Sequence, residues 1–219
     1  MRRRLLRAAI AVALLPTALI LVYRFVPPPV TPLMLVRLAE GEGLDKSWQP
    51  LDRISAQLPQ AVIASEDNRF CEHAGFDWKE LGGQIDRALA GERTRGASTV
   101  TMQVAKNVFL WPGRDPVRKL LEAALTPQIE LLWNKRRIME VYLNVAETGP
   151  GLYGAEAAAR SYFGKPASAL TRREAALIAA VLPNPRLWSP RRPTTYVRHR
   201  ARVIERRMGQ LGPLLECVR

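Results

Sequence analysis

Apolar residues recur three and four positions apart through most of the chain after Pro59, which is the spacing of one face of an α-helix. The clearest run follows Asp115 and Pro116, which suit the N-cap and the first position of a helix. Pro127 lies within this run and is expected to kink or interrupt the helix. The residues predicted to face the core are Val117, Leu120, Leu121, Ala124 and Leu125.

Other helices are predicted from residues that precede or end similar runs. Gly164 is expected to end an alanine-rich helix, a last helix is predicted near 196–211, and the segment LMLVRL at 33–38 is expected to be extended. Convincing alternating strands are few, so the chain is predicted to be mainly α. The predicted caps are Asp77, Ser98 or Thr99, Asn134 and Thr171 with Glu174, and the face after Asp77 comprises Trp78, Leu81, Ile85 and Ala88.

The N-terminal segment combines a basic tail, 1–7, with an apolar run, 8–26, whose only charge is Arg24. Its length approaches the roughly 20 residues that a helix needs to cross a bilayer. A cleavable signal peptide is the alternative, but no convincing small-x-small cleavage site precedes residue 27. We therefore expect a single transmembrane anchor, a cytoplasmic tail and, by the positive-inside rule, all later residues on the other side of the membrane.

A proline-rich segment follows the predicted anchor. Prolines at 27, 28, 29 and 32 favour a stiff, extended spacer that holds the rest of the chain close to the bilayer. A chain of 219 residues has room for one domain of ordinary size beyond such an appendage. The predicted divisions are a spacer and juxtamembrane segment at 27–49, a folded domain at 50–212 and a C-terminal tail at 213–219.

The chain is strongly basic, with a formal net charge of +13 at pH 7. Such a charge favours an anionic partner, which includes nucleic acid, a membrane surface and a phosphate-bearing substrate. Because the folded domain is expected on the side of the membrane opposite the cytoplasm, nucleic acid is not expected as a partner. Cys71 and Cys217 form no disulfide framework or metal pattern, so free or incidentally paired thiols are expected, and whether they pair is left open. With His73 and His199 as the only histidines, a histidine-rich metal centre is excluded.

Three short segments carry candidate chemistry, and each also has a purely structural interpretation. Glu66 and Asp67 stand together in IASEDNRFCEH, which suits either a solvated turn or half of a catalytic apparatus. In RGASTVTMQVAKN at 95–107, a helix start, hydroxyls and a lysine suit a phosphate oxyanion, although a capped helix with an exposed lysine looks the same. In RKLLE at 118–122, two cations and a glutamate share one side of a helix, as in a surface salt-bridge cluster.

Taken together, the segments stand in the same order as the five motifs of the peptidoglycan glycosyltransferases, and the chain is identified as a member of that family. The resemblance spans about residues 50–212, and GAST and LPNPRLWSP are similar to its monofunctional biosynthetic transglycosylase branch. The matching segments are EDNRFCEHAGFD at 66–77, RGASTVTMQ at 95–103, RKLLE at 118–122, KRRIMEVYLN at 135–144 and GLYGAEAAARSYFGK at 151–165.

The resemblance implies a lysozyme-like, mainly helical domain that is anchored in the inner membrane and works in the periplasm. It implies polymerisation of lipid II, a lipid-linked disaccharide-peptide, into glycan strands, with release of undecaprenyl diphosphate and inversion at the anomeric carbon. The implied partners are lipid II, the growing glycan chain, the inner membrane and cell-division or elongation proteins. No metal-ligating residues and no obligatory cofactor are implied, and a divalent cation, Mg²⁺ or Mn²⁺, on the diphosphate is left open.

By the same resemblance, Glu66 is the catalytic general base and Glu122 the second glutamate, which organises cations or helps hold a divalent ion. Diphosphate leaves as a stable anion, so cations matter more here than the general acid of a glycan hydrolase. A lytic enzyme and a non-catalytic scaffold are the alternatives, the latter because Met102 stands where the family usually has glutamine. The expected substrate-binding residues are Ser98, Thr99, Gln103, Lys106, Arg118 and Lys119, and the expected supporting residues are Asp67, Arg69 and His73.

Overall fold

A computed structural model of the protein describes residues 14–92, 96–113 and 115–218. This part of the chain is mainly helical, which confirms the predicted fold class. Outside the described residues lie the predicted basic tail 1–7, the first part of the predicted anchor at 8–13, and Arg95 of the second motif.

Most of the described residues lie in helices, and three short strands are also present. Helix α1 occupies residues 14–23. The strands are β1 Asp45–Lys46, β2 Glu147–Gly149 and β3 Leu152–Tyr153. The other helices are α2 Pro32–Ala39, α3 Gln57–Glu66, α4 Trp78–Leu89, α5 Val100–Phe109, α6 Pro116–Leu132, α7 Lys135–Val145, α8 Gly154–Phe163, α9 Arg172–Val181 and α10 Thr195–Met208.

The predicted helix starts are confirmed, because each expected cap accepts a hydrogen bond from the first turn of its helix. Gly164, in the left-handed region at φ +68°, ends α8 as expected. The prediction of an extended segment at 33–38 is wrong, since these residues lie in α2, where Thr31 is the N-cap and Pro32 the first residue. The confirmed caps are Asp77, Thr99, Asp115, Asn134 and Thr171, the last with its capping-box partner Glu174.

The core lies between two groups of helices. Helices α3 and α10 pack against α9, while α6 and α7 pack against α5. Phe70, Tyr142 and Tyr153 are the largest fully buried aromatic residues. Contacts between the two groups therefore set the position of the C-terminal end of α3 relative to α5.

A small sheet in the order β1-β3-β2 stands beside the helices, with β1 parallel and β2 antiparallel to β3. Gly154, where β3 leads into α8, has φ +82°, and a Cβ there would lie 2.8 Å from the Asn144 backbone. Only glycine fits this close approach in a left-handed conformation. The sheet is thereby held tightly against the end of α7.

Of the kink or interruption predicted at Pro127, the interruption is not found, because helix α6 continues to Leu132. Its C-terminal half is held by Leu125 and Ile129, which are buried on either side of the proline. Tertiary packing of this kind supplies most of the stability of a protein helix and offsets one missing backbone hydrogen bond.

The N-terminal half of α6 also corrects the predicted core face. Arg118 and Glu122 are buried, whereas Leu120 is 71% exposed. The apolar and polar sides are opposite each other as expected, but the polar side faces inward. Of the residues predicted to face the core, Leu125 is buried, and Val117, Leu120, Leu121 and Ala124 are exposed.

Helix α4 likewise exposes its apolar face, whose packing the sequence did not decide. Trp78 is 70% exposed, Leu81 and Ile85 are exposed beside it, and Gln84 is buried on the other side. The predicted apolar face exists, but it does not contact the core. Together α4 and the start of α6 present apolar side chains to the outside of the fold.

Among the described residues, no helix combines the length and apolar character needed to cross a bilayer. The described part of the predicted anchor, α1, packs against the folded domain. Ile20 is fully buried, and its carbonyl accepts a 2.7 Å hydrogen bond from Trp133 Nε1. Arg137 Nη2 donates to the carbonyl oxygens of Tyr23 and Val26 at 2.8 and 2.9 Å, so the end of α1 is capped by α7.

Cys71 and Cys217 form a disulfide, with their Cα atoms 5.6 Å apart. The sequence left open whether these two thiols pair, and the structure shows that they do. The bond joins the loop after α3 to a C-terminal 3-10 turn, Gly212–Val218, across 146 positions of sequence. Spacing along the chain could not reveal the pair, because disulfide formation depends on distance in the folded structure.

Candidate active site

Glu66 is the last residue of α3, whose buried face includes Ile63 and Ala64. Three side chains contact its carboxylate. Gln103 Nε2 donates to Oε2 at 3.1 Å, Ser65 Oγ donates to Oε1 at 3.3 Å, and Arg200 Nη2 lies 3.3 Å from the same Oε1. The carboxylate is therefore oriented by two neutral donors and one cationic donor, while it still lines an open groove.

Asp67 follows Glu66 but is turned into the protein. Its Oδ1 lies 2.8 Å from His73 Nε2, and its Oδ2 accepts a hydrogen bond from the backbone N–H of Val100 at 3.0 Å. One oxygen thus binds the loop after α3 and the other the first turn of α5. This position suits the support of Glu66 that was expected of Asp67 and His73.

Arg69 lies at the surface of the same loop. Its Nη1 donates to Asp77 Oδ1 at 2.9 Å, and its Nε donates to Glu72 Oε2 at 2.7 Å. Since Asp77 also caps α4, Arg69 links the loop after α3 to the start of α4. Its position again suits a supporting role.

Gln103 connects Glu66 to the core. The hydroxyl of Tyr142 donates to Gln103 Oε1 at 3.0 Å, which leaves Nε2 directed at Glu66. Burial raises the pKa of Tyr142 well above its ordinary value, and the charges of Glu66 and Asp67 act in the same direction. Tyr142 therefore stays a hydrogen-bond donor and fixes the orientation of the Gln103 amide.

A cationic cluster lies on α6, with Arg118 and Glu122 buried and Lys119 exposed at its edge. Arg118 Nη1 and Lys119 Nζ donate to the two oxygens of Glu122, at 2.7 and 2.5 Å. Lys119 Nζ also donates to Ser98 Oγ at 3.1 Å, which joins the cluster to the segment before α5. Arg118 Nε is buried and has no partner within the described residues. Burying such charges costs several kcal/mol unless they are paired, so the arrangement is more than a surface salt bridge.

Lys106, one turn after Gln103 on α5, is partly buried. Burial lowers the pKa of Lys106, and the charge of Glu122 opposes that shift. The side chain lines a cavity of about 200 Å³ together with Gln103, Tyr142 and Glu147. Burial raises the pKa of Glu147, which Arg37 opposes, so this cavity contains groups of both charges.

Some of the predicted site residues line adjoining spaces, whereas Arg118, Lys119, Glu122 and His73 are not among the lining residues of these spaces. Glu66, Ser98 and Gln103 line a groove of about 580 Å³ bounded by α10, and Gln103 also belongs to the cavity of Lys106. Glu66 and Ser98 further line a recess of about 320 Å³ that reaches Arg69. The fold therefore assembles segments separated by tens of residues along one surface.

Residues 34–209 match the protein family described as Transglycosylase. The chain belongs to this transglycosylase family. Relatives named biosynthetic peptidoglycan transglycosylase include proteins of Rhodospirillum centenum, 58% identical over 94% of this chain and 90% of the relative, and Caulobacter vibrioides, 49% identical over 99% and 97%. A relative of the same name from Pseudomonas putida is 51% identical over 96% and 92%. The enzyme class, a peptidoglycan glycosyltransferase of cell-wall synthesis, is therefore confirmed.

Two motif residues of this transglycosylase lie inside the protein. Thr99 is 3% exposed, and its hydroxyl donates to the Gly75 carbonyl at 2.6 Å while it caps α5. Met102, which replaces the glutamine usual in the family, is 7% exposed and packs as an apolar residue. The replacement therefore leaves the Gln103 contact with Glu66 in place.

Arg200 is the site residue that sequence reasoning missed. Several arginines occur close together in the sequence of α10, and nothing local distinguishes Arg200 from the others. Only the packing of α10 against α3 brings Arg200 to Glu66. The available signal was its helical spacing. Arg200 follows the buried Val197 by three residues and precedes the buried Ile204 by four, which places it near the inward face.

Proposed function

We propose that this transglycosylase polymerises lipid II into glycan strands, releasing undecaprenyl diphosphate with inversion at the anomeric carbon. The observation that carries the proposal is a groove lined by the carboxylate of Glu66 and by Ser98, whose hydroxyl accepts a hydrogen bond from Lys119 of the cationic cluster on α6. A carboxylate suits proton removal from a sugar hydroxyl, and fixed cations suit an anionic leaving group.

In this proposal Glu66 is the general base. It removes the proton from the 4-hydroxyl of the acceptor sugar as that oxygen attacks the anomeric carbon of the growing chain. The bond from the anomeric carbon to the diphosphate breaks on the opposite side, which inverts the configuration. Gln103 and Arg200 hold the carboxylate in one orientation, and Asp67 fixes the loop that follows it.

Arg118, Lys119 and Lys106 are the proposed binding groups for the diphosphate. Glu122 pairs with two of them and so acts as an organiser of the cations rather than as a proton donor. The Arg118–Lys119–Glu122 cluster keeps a net positive charge, and the partly buried ammonium of Lys106 adds another. Cations held in place before the reaction stabilise negative charge on the leaving group without reorganisation.

A divalent cation is proposed only as a companion of the substrate, and no cofactor is proposed as obligatory. Both oxygens of Glu122 are engaged by Arg118 and Lys119. The described residues contain no group of three or more His, Cys, Asp or Glu suited to hold a metal. Mg²⁺ or Mn²⁺ would therefore be held by phosphate oxygens, with Glu122 as the one candidate ligand in the cluster.

We further propose a single-pass enzyme of the inner membrane, anchored by residues 8–26 with the N-terminus cytoplasmic and the catalytic domain periplasmic. The exposed apolar faces of α4 and α6 support contact with a bilayer, and the contacts of α1 support a domain held close to it. The disulfide suits an oxidising compartment. Cell-division or elongation proteins are proposed partners, and nucleic acid is not.

The test is incubation of the full-length protein in detergent with fluorescent lipid II. The unmodified protein is expected to form long polymer that muramidase digests. Glu66→Gln is expected to lower the rate by about a hundredfold or more, because an amide cannot accept the proton. Glu72→Gln makes the same change at an exposed glutamate of the same loop and is expected to retain activity.

Two results would replace the proposal. Shortening of preformed glycan without polymer formation would identify a lytic enzyme. Inertness in both assays, with a folded protein, would identify a non-catalytic scaffold.

A further inference from the structure

Helix α10 carries arginines that the proposed reaction does not use. Arg202 and Arg206 are exposed and, within the part of the chain that the structure describes, neither has a carboxylate partner. Like charges four residues apart on a helix repel each other and destabilise it. Arg198 and Arg202, and Arg202 and Arg206, are two such pairs. Arg206 gains some stabilisation from its place in the last turn of the helix, but Arg202 lies between two arginines and gains none of this kind, which points to a role outside the fold itself.

The exposed arginines adjoin the catalytic groove. His199, Arg202 and Arg206 are spaced by three and four residues, so they share one face of α10, and we call them the arginine stripe. They line an open recess of about 510 Å³ with Glu205. His199 also lines the groove of about 580 Å³ that contains Glu66. The stripe thus leads from the groove toward the outer surface.

We propose that the arginine stripe binds peptide carboxylates of the glycan strand as the strand leaves the catalytic groove. The inference rests on the proposed function, which makes a peptide-bearing glycan the product. A peptide ends in a carboxylate, so each added unit presents at least one anion at a regular interval. Guanidinium groups bind carboxylates through two parallel hydrogen bonds. A strand held in this way dissociates more slowly and receives more units before release.

Anionic phospholipid is the other ligand that could attract these charges. Helices that bind a membrane interface expose apolar residues beside the basic ones. On α10 the aliphatic residues are buried or half-buried and Tyr196 is exposed at the start of the helix, whereas α4 and the start of α6 each expose several large apolar residues. A discrete anionic polymer leaving the groove therefore fits the stripe better than a lipid surface. The buried residues of α10 are Val197, Ala201, Ile204 and Met208.

The test compares strand length made by the full-length protein and by its R202E/R206E variant, in detergent with lipid II, by gel electrophoresis. An exposed ion pair changes an equilibrium by about twofold to fivefold. Reversal of two charges is therefore expected to shorten strands by about fivefold or more, with more strands started per lipid II consumed. Arg53→Glu makes the same change at an exposed arginine away from the groove and recess, and is expected to leave strand length unchanged.

A binding measurement separates this inference from the proposed function. Purified uncrosslinked glycan strands are expected to bind R202E/R206E about fivefold or more weakly than the unmodified protein, and strands with amidated peptide carboxylates to bind both weakly. Unchanged strand length and unchanged binding would overturn the inference. The inference would also be overturned if R202E/R206E still bound glycan strands normally but no longer bound vesicles containing anionic phospholipid. Stripe-dependent binding by a protein that makes no polymer would instead overturn the proposed function.

Discussion

Glu66 and Asp67 are adjacent in the chain and differ in nearly every contact that they make. Glu66 ends α3 and lines the groove with Gln103 and Arg200 beside it. Asp67 turns inward and binds His73 and the first turn of α5. The residue types alone left the two carboxylates equivalent, and motif order separated them by family resemblance. The structure adds the physical reason, since one carboxylate is accessible and the other is enclosed.

At the same scale, Lys106 carries a prediction of pH dependence. Burial lowers the pKa of Lys106, whereas the pKa of an ordinary lysine is about 10.4. Only the protonated ammonium stabilises the leaving diphosphate, so polymerisation is expected to fall as pH rises through a value below about 10.4. Arginine stays charged over this range, and Lys106→Arg is expected to move the alkaline loss upward by roughly one unit or more.

Initial rates of lipid II consumption measured against pH check this prediction. Lys79→Arg, at an exposed lysine of α4, provides the control and is expected to leave the profile unchanged. The same alkaline loss in Lys106→Arg and in the unmodified protein would show that another group is responsible.

The amphipathic helices α4 and α6 show the limit of periodicity as a guide to packing. The spacing of apolar residues revealed two faces in each helix, but not which face meets the core. In α6 the ion pairs of Glu122 with Arg118 and Lys119 make burial of the polar side feasible. Apolar residues such as Leu120 are consequently left outside the fold, available to a bilayer.

Trp78, 70% exposed on α4, makes the proposed membrane contact measurable. With the full-length protein in lipid vesicles, brominated acyl chains are expected to quench Trp78 fluorescence, because bromine quenches a ring that enters the bilayer interface. Trp78→Phe is expected to remove a larger share of the quenching than Trp188→Phe, which changes a residue of the loop before α10. If the two variants lost equal shares of the quenching, the α4 face would not be the part of the protein that contacts the bilayer.

At the scale of the whole molecule, the disulfide connects the loop after α3 to the C-terminal turn. Cys71 lies in the loop that follows Glu66, and Cys217 lies in the C-terminal turn. Arg136 adds a hydrogen bond from α7 to the carbonyl of Val218 at 3.4 Å. The C-terminal turn is therefore part of the folded unit and supports the side of the domain that carries the catalytic loop.

Removal of this bond is expected to lower stability. The C71S/C217S variant should lose about 2–5 kcal/mol of unfolding free energy, because the link closes a long loop and restricts the unfolded chain. Thermal unfolding followed by circular dichroism measures the change. A thiol reductant should lower the Tm of the unmodified protein and leave that of the variant unchanged. Equal Tm values for the two oxidised proteins would show that the bond adds no stability.

The sequence by itself determined what depends on neighbours along the chain. Asp115 with Pro116, and Thr171 with Glu174, marked helix starts because caps act within one turn. Motif order identified the family and, by resemblance, predicted the roles of Glu66 and Glu122. The tertiary structure alone decided which sides of α4 and α6 are buried, that Cys71 meets Cys217, and that Arg200 reaches Glu66. These features depend on the approach of segments far apart in the chain, which no local spacing encodes.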